Sequence, residues 1–298
     1  MKIFAVTVSG ASTFFRFTQY KPALEEAGFT FGEDADITLI QKQLLPLSQQ
    51  KKLRKQAKRL FFDFDDAIWT RPVKPYSWIT QLRIKSRLHY WLRKADVVMC
   101  SSSFLASYAA KFCTAHVIPL ALDTDLWKPL EKKNTPVRIG WTGAPHNLHH
   151  LERLDALLGQ IPDIELHVFS GKRPHMNMPY TYYPYEEITQ IPFIQNLDIG
   201  LLPLSNEEFS LGKSPIKAIQ YIACGVPVIG NVYGATEDIL KNDFSIAVES
   251  EKEWIEALKK LASDPLLRQS MAVKARAFAL QHHSFKSALN QLLKLLKG

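Results

Sequence analysis

A short stretch around residue 215 combines two lysines with the signals that begin and end a helix. We predict a helix in which Ser214 is the N-cap, Pro215 is the first helical residue and Gly225 is the C′ residue. Lys213 precedes this helix, and Lys217 lies in its first turn. Cations at the positive end of a helix dipole cost up to about 1 kcal/mol, unless an anion lies among them. The pattern therefore predicts an anion-binding helix start, with solvated lysines on an ordinary helix as the alternative.

Three aspartates form the second candidate group. Asp63, Asp65 and Asp66 close a run that reads as a buried strand from residue 60. Alternation along a strand puts Asp63 and Asp65 on one face, and we expect the strand end to be the open part. This predicts Asp65 and Asp66 in a ligand cleft, where they would bind substrate hydroxyls. Capping of a loop is the alternative role.

The elements that position these residues alternate between short apolar runs and helical patterns along the whole chain, which is typical of parallel α/β units. We predict a first domain over 1–125 with about five strands, a linker over 126–136 and a second domain over 137–283. The pattern of residues 284–298 predicts an amphipathic helix, whose apolar face must pack on another element. Two such domains would face each other across a cleft at the carboxyl ends of their strands.

Other candidate residues follow the predicted strands of both domains. Gly10 follows the first strand, and Gly143 follows the first strand of the second domain; each would let the backbone approach a ligand. Further polar candidates are Ser12 and Arg16 in the first domain and Ser170, Gly171 and Lys172 in the second. His146, His149 and His150 lie close together, but no carboxylate or cysteine joins them at ligand spacing. We therefore expect solvated histidines at a helix start and no metal site.

The residues around the predicted helix resemble a known family signature. The block that runs from Asp198 to Leu204, through Gly212 and Lys217, to Val228 is similar to the donor site of retaining glycosyltransferases of family 4. Residues 12–28, 62–69 and 117–129 also resemble that family, so the likeness extends over most of the chain. It implies the α/β GT-B fold, with two Rossmann-like parallel-sheet domains, in a short member with a reduced N-terminal domain.

The resemblance also implies an activity: metal-independent transfer of a hexose from a nucleotide sugar to a glycan or glycolipid, with retention of configuration. The nucleotide sugar is a co-substrate, and no other cofactor is implied. Together with the sequence patterns above, the resemblance implies three groups of site residues. They are Asp65, Lys213 and Lys217 for catalysis; Gly10, Gly143, Ser170, Gly171, Lys172, Ser214, Pro215 and Gln220 for the donor; and Ser12, Arg16 and Asp66 for the acceptor.

Three positions depart from the family pattern. Ala144 stands where many members have an arginine, and Gly212 and Gln220 stand where many have glutamates. Lys213 and Lys217 would supply the missing positive charge. The departures leave two alternatives open: a GT-B-shaped binding or scaffold subunit without catalysis, and a nucleotide-sugar epimerase of the same fold.

The net charge of +8 is concentrated in one segment. Residues 51–94 contain 13 Lys and Arg but three Asp, whereas residues 131–298 contain 18 basic and 18 acidic side chains. Within 49–94, the helical pattern of 78–94 aligns Trp78, Leu82, Leu88, Trp91 and Leu92 beside cations. The stripe either packs on the sheet or attaches the protein to an anionic membrane that carries the acceptor. A nucleic-acid partner is not expected, because no recognised binding motif accompanies the charge. The three cysteines are an odd number without CxxC spacing, which favours a reducing cytoplasm. Attachment through the basic segment would place the protein peripherally on the inner face of the cytoplasmic membrane.

Overall fold

The structure is a computed structural model that describes residues 1–71 and 76–298. Its strands are β1 (Lys2–Val6), β2 (Thr30–Phe31), β3 (Ile37–Gln41), β4 (Arg59–Phe64), β5 (Val97–Cys100), β6 (Ala115–Val117), β7 (Val137–Thr142), β8 (Ile164–Ser170), β9 (Tyr180–Pro184), β10 (Ile199–Leu202), β11 (Val228–Gly230) and β12 (Ser245–Ala247).

The α-helices are α1 (Ala11–Arg16), α2 (Lys21–Glu26), α3 (Leu47–Gln56), α4 (Trp78–Lys94), α5 (Ser103–Ala109), α6 (Leu148–Glu152), α7 (Asp155–Leu158), α8 (Gln190–Gln195), α9 (Glu208–Leu211), α10 (Ile216–Ala223), α11 (Glu237–Leu240), α12 (Glu251–Ser263), α13 (Pro265–His282) and α14 (Phe285–Lys297). Short 3₁₀ turns cover Thr18–Tyr20, Pro145–Asn147, Glu187–Thr189 and Gly234–Thr236.

The chain forms two compact units, each built on one parallel six-stranded sheet. The first unit contains Met1–Ala121, Glu207–Ser214 and Lys286–Gly298, and the second contains Leu122–Asn206 and Pro215–Phe285. This confirms the predicted α/β class with two parallel-sheet domains. The sequence did not indicate that residues 207–214 belong to the first unit.

The first sheet has the strand order β2-β1-β3-β4-β5-β6. It has one strand more than the five expected, because Thr30–Phe31 pairs with β1 over two residues and is too short to show periodicity. The central strands are buried on both faces, as continuous apolar runs require. Helix α4 packs on them through Trp91, whose ring stacks on Phe62 and whose indole N–H donates to the carbonyl of Gln43 at 3.0 Å.

The C-terminal helix α14 completes the first unit. Its apolar face buries Ala288, Leu292 and Leu296, as the predicted amphipathic helix requires. Arg59 donates to the carbonyls of Leu295 and Leu296, both at 3.0 Å. These last carbonyls of a helix have no partner inside it, so the guanidinium caps the helix end and fixes it beside β4.

The second sheet has the strand order β12-β11-β10-β7-β8-β9. Helix α10 lies on its centre through Tyr221, whose ring packs where a side chain at Gly200 would stand. The Tyr221 hydroxyl accepts from the amide of Thr142 at 3.1 Å and contacts the carbonyl of Gly140. Gly225, at φ 65°, closes the helix as predicted: its amide and that of Val226 donate back into the last turn. The helix is thereby fixed over β7 and β10.

Candidate functional site

The first unit gathers its polar residues where the strand order reverses. The chain runs from β1 outward to β2 and then crosses to β3 on the other side of β1. In parallel α/β sheets, ligands bind at this switch point, outside the carboxyl ends of the strands. Gly10 lies there in a backbone conformation of φ 97° that favours glycine, and a Cβ at this position would meet nothing within 4 Å. Glycine is therefore required by the local backbone and not by packing.

A chain of hydrogen bonds crosses the switch point. Buried Gln41 accepts from the hydroxyl of Thr13 at 2.9 Å and donates to the hydroxyl of Ser12 at 2.9 Å. Ser12 in turn donates to Asp65 at 2.8 Å. The structure thus brings the predicted residues Ser12 and Asp65 together, through a glutamine that was not predicted.

Lys42 links Asp65 to Asp66. Its ammonium group lies 3.1 Å from Asp65 and also bonds Asp66. Burial tends to lower the pKa of Lys42, and the two carboxylates outweigh this and raise it. The Lys42 backbone has φ 61°, a left-handed conformation that is uncommon outside glycine. Asp65 is 3 % exposed, so it is more enclosed than the open position predicted for it.

Asp66 also binds the segment 207–214. Its second oxygen accepts from the amide of Ser214 at 3.1 Å. Two further contacts support this connection: the indole of Trp69 donates to Glu208 at 2.9 Å, and Gly212 lies so close to Ala67 that a Cβ would overlap it. Glycine at 212, one of the departures from the family pattern, is therefore explained by packing.

Lys213 lies within this bound segment. Burial lowers the pKa of its side chain, and the nearby Asp66 carboxylate partly opposes the shift. An anion next to the ammonium group would favour its charged form.

Arg16 is bound inside the first unit. Its guanidinium is buried and makes a bidentate ion pair with Asp63, and it also donates to the carbonyl of Ile118. Burial raises the pKa of Asp63, and the charge of Arg16 opposes the rise. Burial likewise tends to lower the pKa of Arg16, but Asp63 and Asp65 raise it above its ordinary value. Because this arginine is already paired with a carboxylate inside the protein, its contact with the acceptor stays a prediction.

Helix α10 begins one residue later than predicted. Pro215 is its N-cap, and Ser214 does not cap it: the hydroxyl of Ser214 is buried with no hydrogen-bond partner among the described residues. The cause is the bond from the Ser214 amide to Asp66, which holds this residue in the first unit. The helix start is therefore left without a side-chain cap.

Lys217 and Gln220 share a face of α10, as their spacing predicts. The Lys217 ammonium lies 3.3 Å from the Gln220 side-chain oxygen, and the Gln220 amide lies 3.3 Å from Gln190. Gln220 is 2 % exposed. A glutamine here orients the lysine without adding a negative charge beside it, which keeps the positive potential of the helix start.

The other predicted donor residues end strands β7 and β8 near the switch point of the second sheet, where β7 separates β8 from β10. Gly143 is required by packing, because a Cβ there would overlap the ring of Trp141. Gly171 and Lys172 are exposed. Ser170 is fully buried, and its hydroxyl has no hydrogen-bond partner among the described residues, although its carbonyl accepts from Tyr182 and Tyr185.

The histidines of the second unit do not form a metal centre. His146 and His149 are exposed, but His150 is buried and lies 3.3 Å from the Arg153 guanidinium, so the expectation of three solvated histidines is wrong for His150. Within residues 1–71 and 76–298, no group of three potential metal ligands occurs.

Gln41 and Lys42 are the site residues that sequence reasoning missed. The available signal was a polar pair directly after the apolar run Ile37–Ile40, at a strand end of the same kind as Asp65 and Asp66. The positive φ of Lys42 left no trace in the sequence.

Comparisons with known proteins agree with this architecture. Residues 153–294, just under half of the chain, match a family model described as glycosyl transferase-like. A sequence search of curated proteins finds no match.

Solved structures of similar fold include HepE of Anabaena in complex with UDP, with 13% identity, a TM-score of 0.73 and full coverage of both chains. Sucrose-phosphate synthase from Thermosynechococcus elongatus has 16% identity and a TM-score of 0.71, over 93% of this chain and 75% of that one. WaaG, a glycosyltransferase involved in lipopolysaccharide biosynthesis, has 13% identity and a TM-score of 0.69 with full coverage of both. The neighbours show a GT-B fold, and the family match supports glycosyltransferase activity.

Proposed function

We propose that this chain is a retaining glycosyltransferase that uses a nucleoside diphosphate sugar, with UDP as the favoured nucleotide. The observation that carries the proposal is the uncapped start of α10, with Lys217 in its first turn, inside the stretch that matches the glycosyl transferase-like model. The complexes of HepE with UDP and with UDP-glucose support the choice of nucleotide.

The proposed chemistry is stabilisation of the leaving group. As the sugar departs, negative charge grows on the diphosphate, and donors fixed in advance lower the barrier because they need no reorganisation. Helix α10 supplies the N–H groups of its first turn and its positive dipole end, and Gln220 orients Lys217. Lys213 is proposed to contribute a second cation. The reaction needs no metal ion in this proposal.

The other predicted residues take supporting roles. Gly143, Ser170, Gly171, Lys172 and Pro215 are proposed to line the donor, with the Ser170 hydroxyl available for a hydrogen bond. Ser12, Asp65 and Asp66 are proposed to act on the acceptor side, with Asp65 and Asp66 held in place by Lys42. Gly10 provides close backbone approach. The proposed acceptor is a glycan or glycolipid, and the proposed location is the inner face of the cytoplasmic membrane.

Calorimetric titration with UDP, GDP and UDP-glucose tests the proposal. We expect UDP to bind, and Lys217→Ala to weaken binding about tenfold or more, as loss of a charged hydrogen-bond donor does. Lys259→Ala, at an exposed position of α12, is the matched control. No binding of any of these nucleotides, or equal binding by wild type and Lys217→Ala, contradicts the proposal.

Product analysis separates the alternatives. With UDP-glucose and acceptor glycans, we expect NMR to show an α-linked product from the α-linked donor. A β-linked product contradicts retention. Conversion of the donor to an epimer without acceptor identifies an epimerase, and nucleotide binding without transfer or hydrolysis identifies a scaffold subunit.

A further inference from the structure

Helix α4 exposes large apolar side chains over its first turns and buries them over its last ones. Trp78, Ile79 and Leu82 are 71%, 52% and 60% exposed, whereas Leu88, Trp91 and Leu92 are fully buried. The stripe predicted from the sequence is therefore divided: its second half packs on the sheet, and its first half faces solvent. Burying one aliphatic side chain normally stabilises a protein by about 1.5–3 kcal/mol. Exposing a tryptophan and two aliphatic side chains together is therefore unfavourable in water.

Cations flank this exposed apolar face. At 100° per residue, Arg83 and Lys85 project on opposite sides of the sector that contains Trp78, Leu82 and Ile79. Between Asp66 and Asp96 the sequence contains seven Lys and Arg and no acidic residue. Among the described residues, neither Arg83 nor Lys85 forms an ion pair with a carboxylate. The charges of these two side chains are therefore not paired with a carboxylate in the part of the chain that the structure describes.

Helix α3 packs against the later turns of α4. The Gln50 side chain donates to the carbonyl of Arg87 at 3.1 Å, and Arg87 donates to the carbonyl of Leu44 at 3.2 Å. These contacts leave Trp78, Ile79 and Leu82 exposed. We call Trp78, Ile79, Leu82, Arg83 and Lys85 the docking face.

The docking face belongs to the same unit as the acceptor candidates. Helix α4 comes after β4 in the chain, and Asp65 and Asp66 directly follow that strand. The proposed function assigns these aspartates to the acceptor. A surface bound by α4 would therefore be bound by the unit that carries the proposed acceptor residues.

We propose that the docking face binds an anionic lipid bilayer and thereby brings the site to a lipid-linked acceptor. A tryptophan and aliphatic side chains are suited to the boundary between headgroups and acyl chains, and flanking Arg and Lys meet anionic headgroups. None of the described helices has both the length and the apolar character of a membrane span. The acceptor part of this inference rests on the proposed function; the lipid contact does not.

The composition of the docking face disfavours two other occupants, a second copy of the chain and a nucleic acid. Two copies paired symmetrically through this face would bring their Arg83 and Lys85 side chains together, which like charges disfavour. A nucleic acid would match the cations but would leave Trp78, Ile79 and Leu82 without an apolar environment. An anionic bilayer satisfies both components of the face.

Vesicle flotation of the full chain tests the lipid contact. We expect binding to mixed phosphatidylcholine and phosphatidylglycerol vesicles, weaker binding to phosphatidylcholine alone, and loss of binding as salt is raised. Trp78→Ser with Leu82→Ser should weaken binding about tenfold or more. Arg83→Gln with Lys85→Gln should weaken it roughly tenfold and reduce its dependence on salt. Leu266→Ser on α13, at a residue 77% exposed in the second unit, is the matched control and should bind as the wild type does.

Separate readouts distinguish the possible failures. Equal vesicle binding by wild type and the Trp78/Leu82 variant overturns the proposal, and so does absence of binding to anionic vesicles. A wild-type dimer that this variant converts to monomer would identify a second copy as the occupant and overturn it too. UDP affinity should be the same in wild type and variant. If UDP does not bind but the vesicle results hold, the proposed function fails and the docking face remains.

Discussion

At the strand ends of the first sheet, polar side chains bind one another: Gln41 holds Ser12, Ser12 holds Asp65, and Lys42 joins Asp65 to Asp66. At the strand ends of the second sheet, the corresponding positions offer exposed Gly171 and Lys172 and an uncapped helix start. They also offer the Ser170 hydroxyl, which has no hydrogen-bond partner within residues 1–71 and 76–298. The first group is stabilised internally before any ligand binds. The second retains unused hydrogen-bonding capacity, which a ligand can satisfy.

This difference suggests separate tasks. A network that is complete without ligand positions its members, and each member is expected to matter for stability. A group of donors without partners contributes little to folding and is available for binding. Variants in the first group should therefore change the free energy of unfolding, and variants in the second should change nucleotide affinity. The four predictions that follow test this division.

The largest effect is expected from the buried ion pair of the first unit. Arg16→Met leaves the carboxylate of Asp63 buried without its partner, which typically costs about 3–5 kcal/mol. We expect urea unfolding to show this loss in the variant. The double variant Arg16→Met with Asp63→Leu should recover much of it, because neither buried charge remains. Equal stability of wild type and Arg16→Met would show that this buried ion pair does not stabilise the first unit.

The next effect concerns Asp66, which binds both Lys42 and the amide of Ser214. Asp66→Ala removes both contacts, and we expect a loss of about 1–3 kcal/mol in the free energy of unfolding. Hydrogen exchange should show faster exchange in residues 207–214, while Asp66→Asn, which keeps an acceptor, should protect the Ser214 amide better. Asp243→Ala, at an exposed carboxylate, is the control. Unchanged exchange of 207–214 would show that other contacts hold the segment.

A pH dependence tests whether Lys213 belongs with the binding group although it lies in the first unit. Burial lowers the pKa of its ammonium group, so its charge is lost as pH rises, at a lower pH than for an ordinary lysine. We expect UDP affinity to fall by about tenfold through this transition, as a charge-assisted hydrogen bond is lost. In Lys213→Arg the fall should disappear, because arginine stays protonated. Calorimetric titrations across the alkaline range measure both, and a fall of equal size in Lys213→Arg assigns it to another group.

The contrast also shows what could be predicted from sequence. The central strands of both sheets were predictable because buried parallel strands are continuous apolar runs, whereas the edge strands β2, β9 and β12 were not. The closing glycine of α10 was predictable because Gly225 needs a positive φ. These are local properties of the chain. The pairing of Arg16 with Asp63 was not predictable, because 47 residues separate them and nothing local favours this partner over solvent or a ligand.

Two errors have the same origin. Ser214 has the residue type of an N-cap, but its amide is bound by Asp66, 148 positions away, and the helix begins after it. On α4, periodicity correctly found an apolar face but did not indicate how far the sheet covers it, so Trp78 and Trp91 looked equivalent. Local patterns specify the preferred conformation of a segment, and long-range contacts decide where that segment ends and which face is covered.

The smallest effect, and the sharpest test of the division, is expected at Ser170. Its hydroxyl is buried and has no hydrogen-bond partner in the described part of the chain, so Ser170→Ala removes a polar group that this part of the fold does not use. We expect the free energy of unfolding to stay the same or rise by up to about 1 kcal/mol, because an unsatisfied buried hydroxyl is itself unfavourable. UDP affinity should fall by about fivefold, the effect of one neutral hydrogen bond of about 1 kcal/mol.

Ser102→Ala provides the matched control, because that hydroxyl caps α5 by accepting from the amide of Leu105. Its removal should reduce stability by about 1 kcal/mol and leave UDP affinity unchanged. Urea unfolding and calorimetry on the same two proteins then give opposite patterns for two buried serines. If Ser170→Ala behaves like Ser102→Ala, the strand ends of the second sheet are stabilised internally as the first ones are, and the division into a positioning group and a binding group fails.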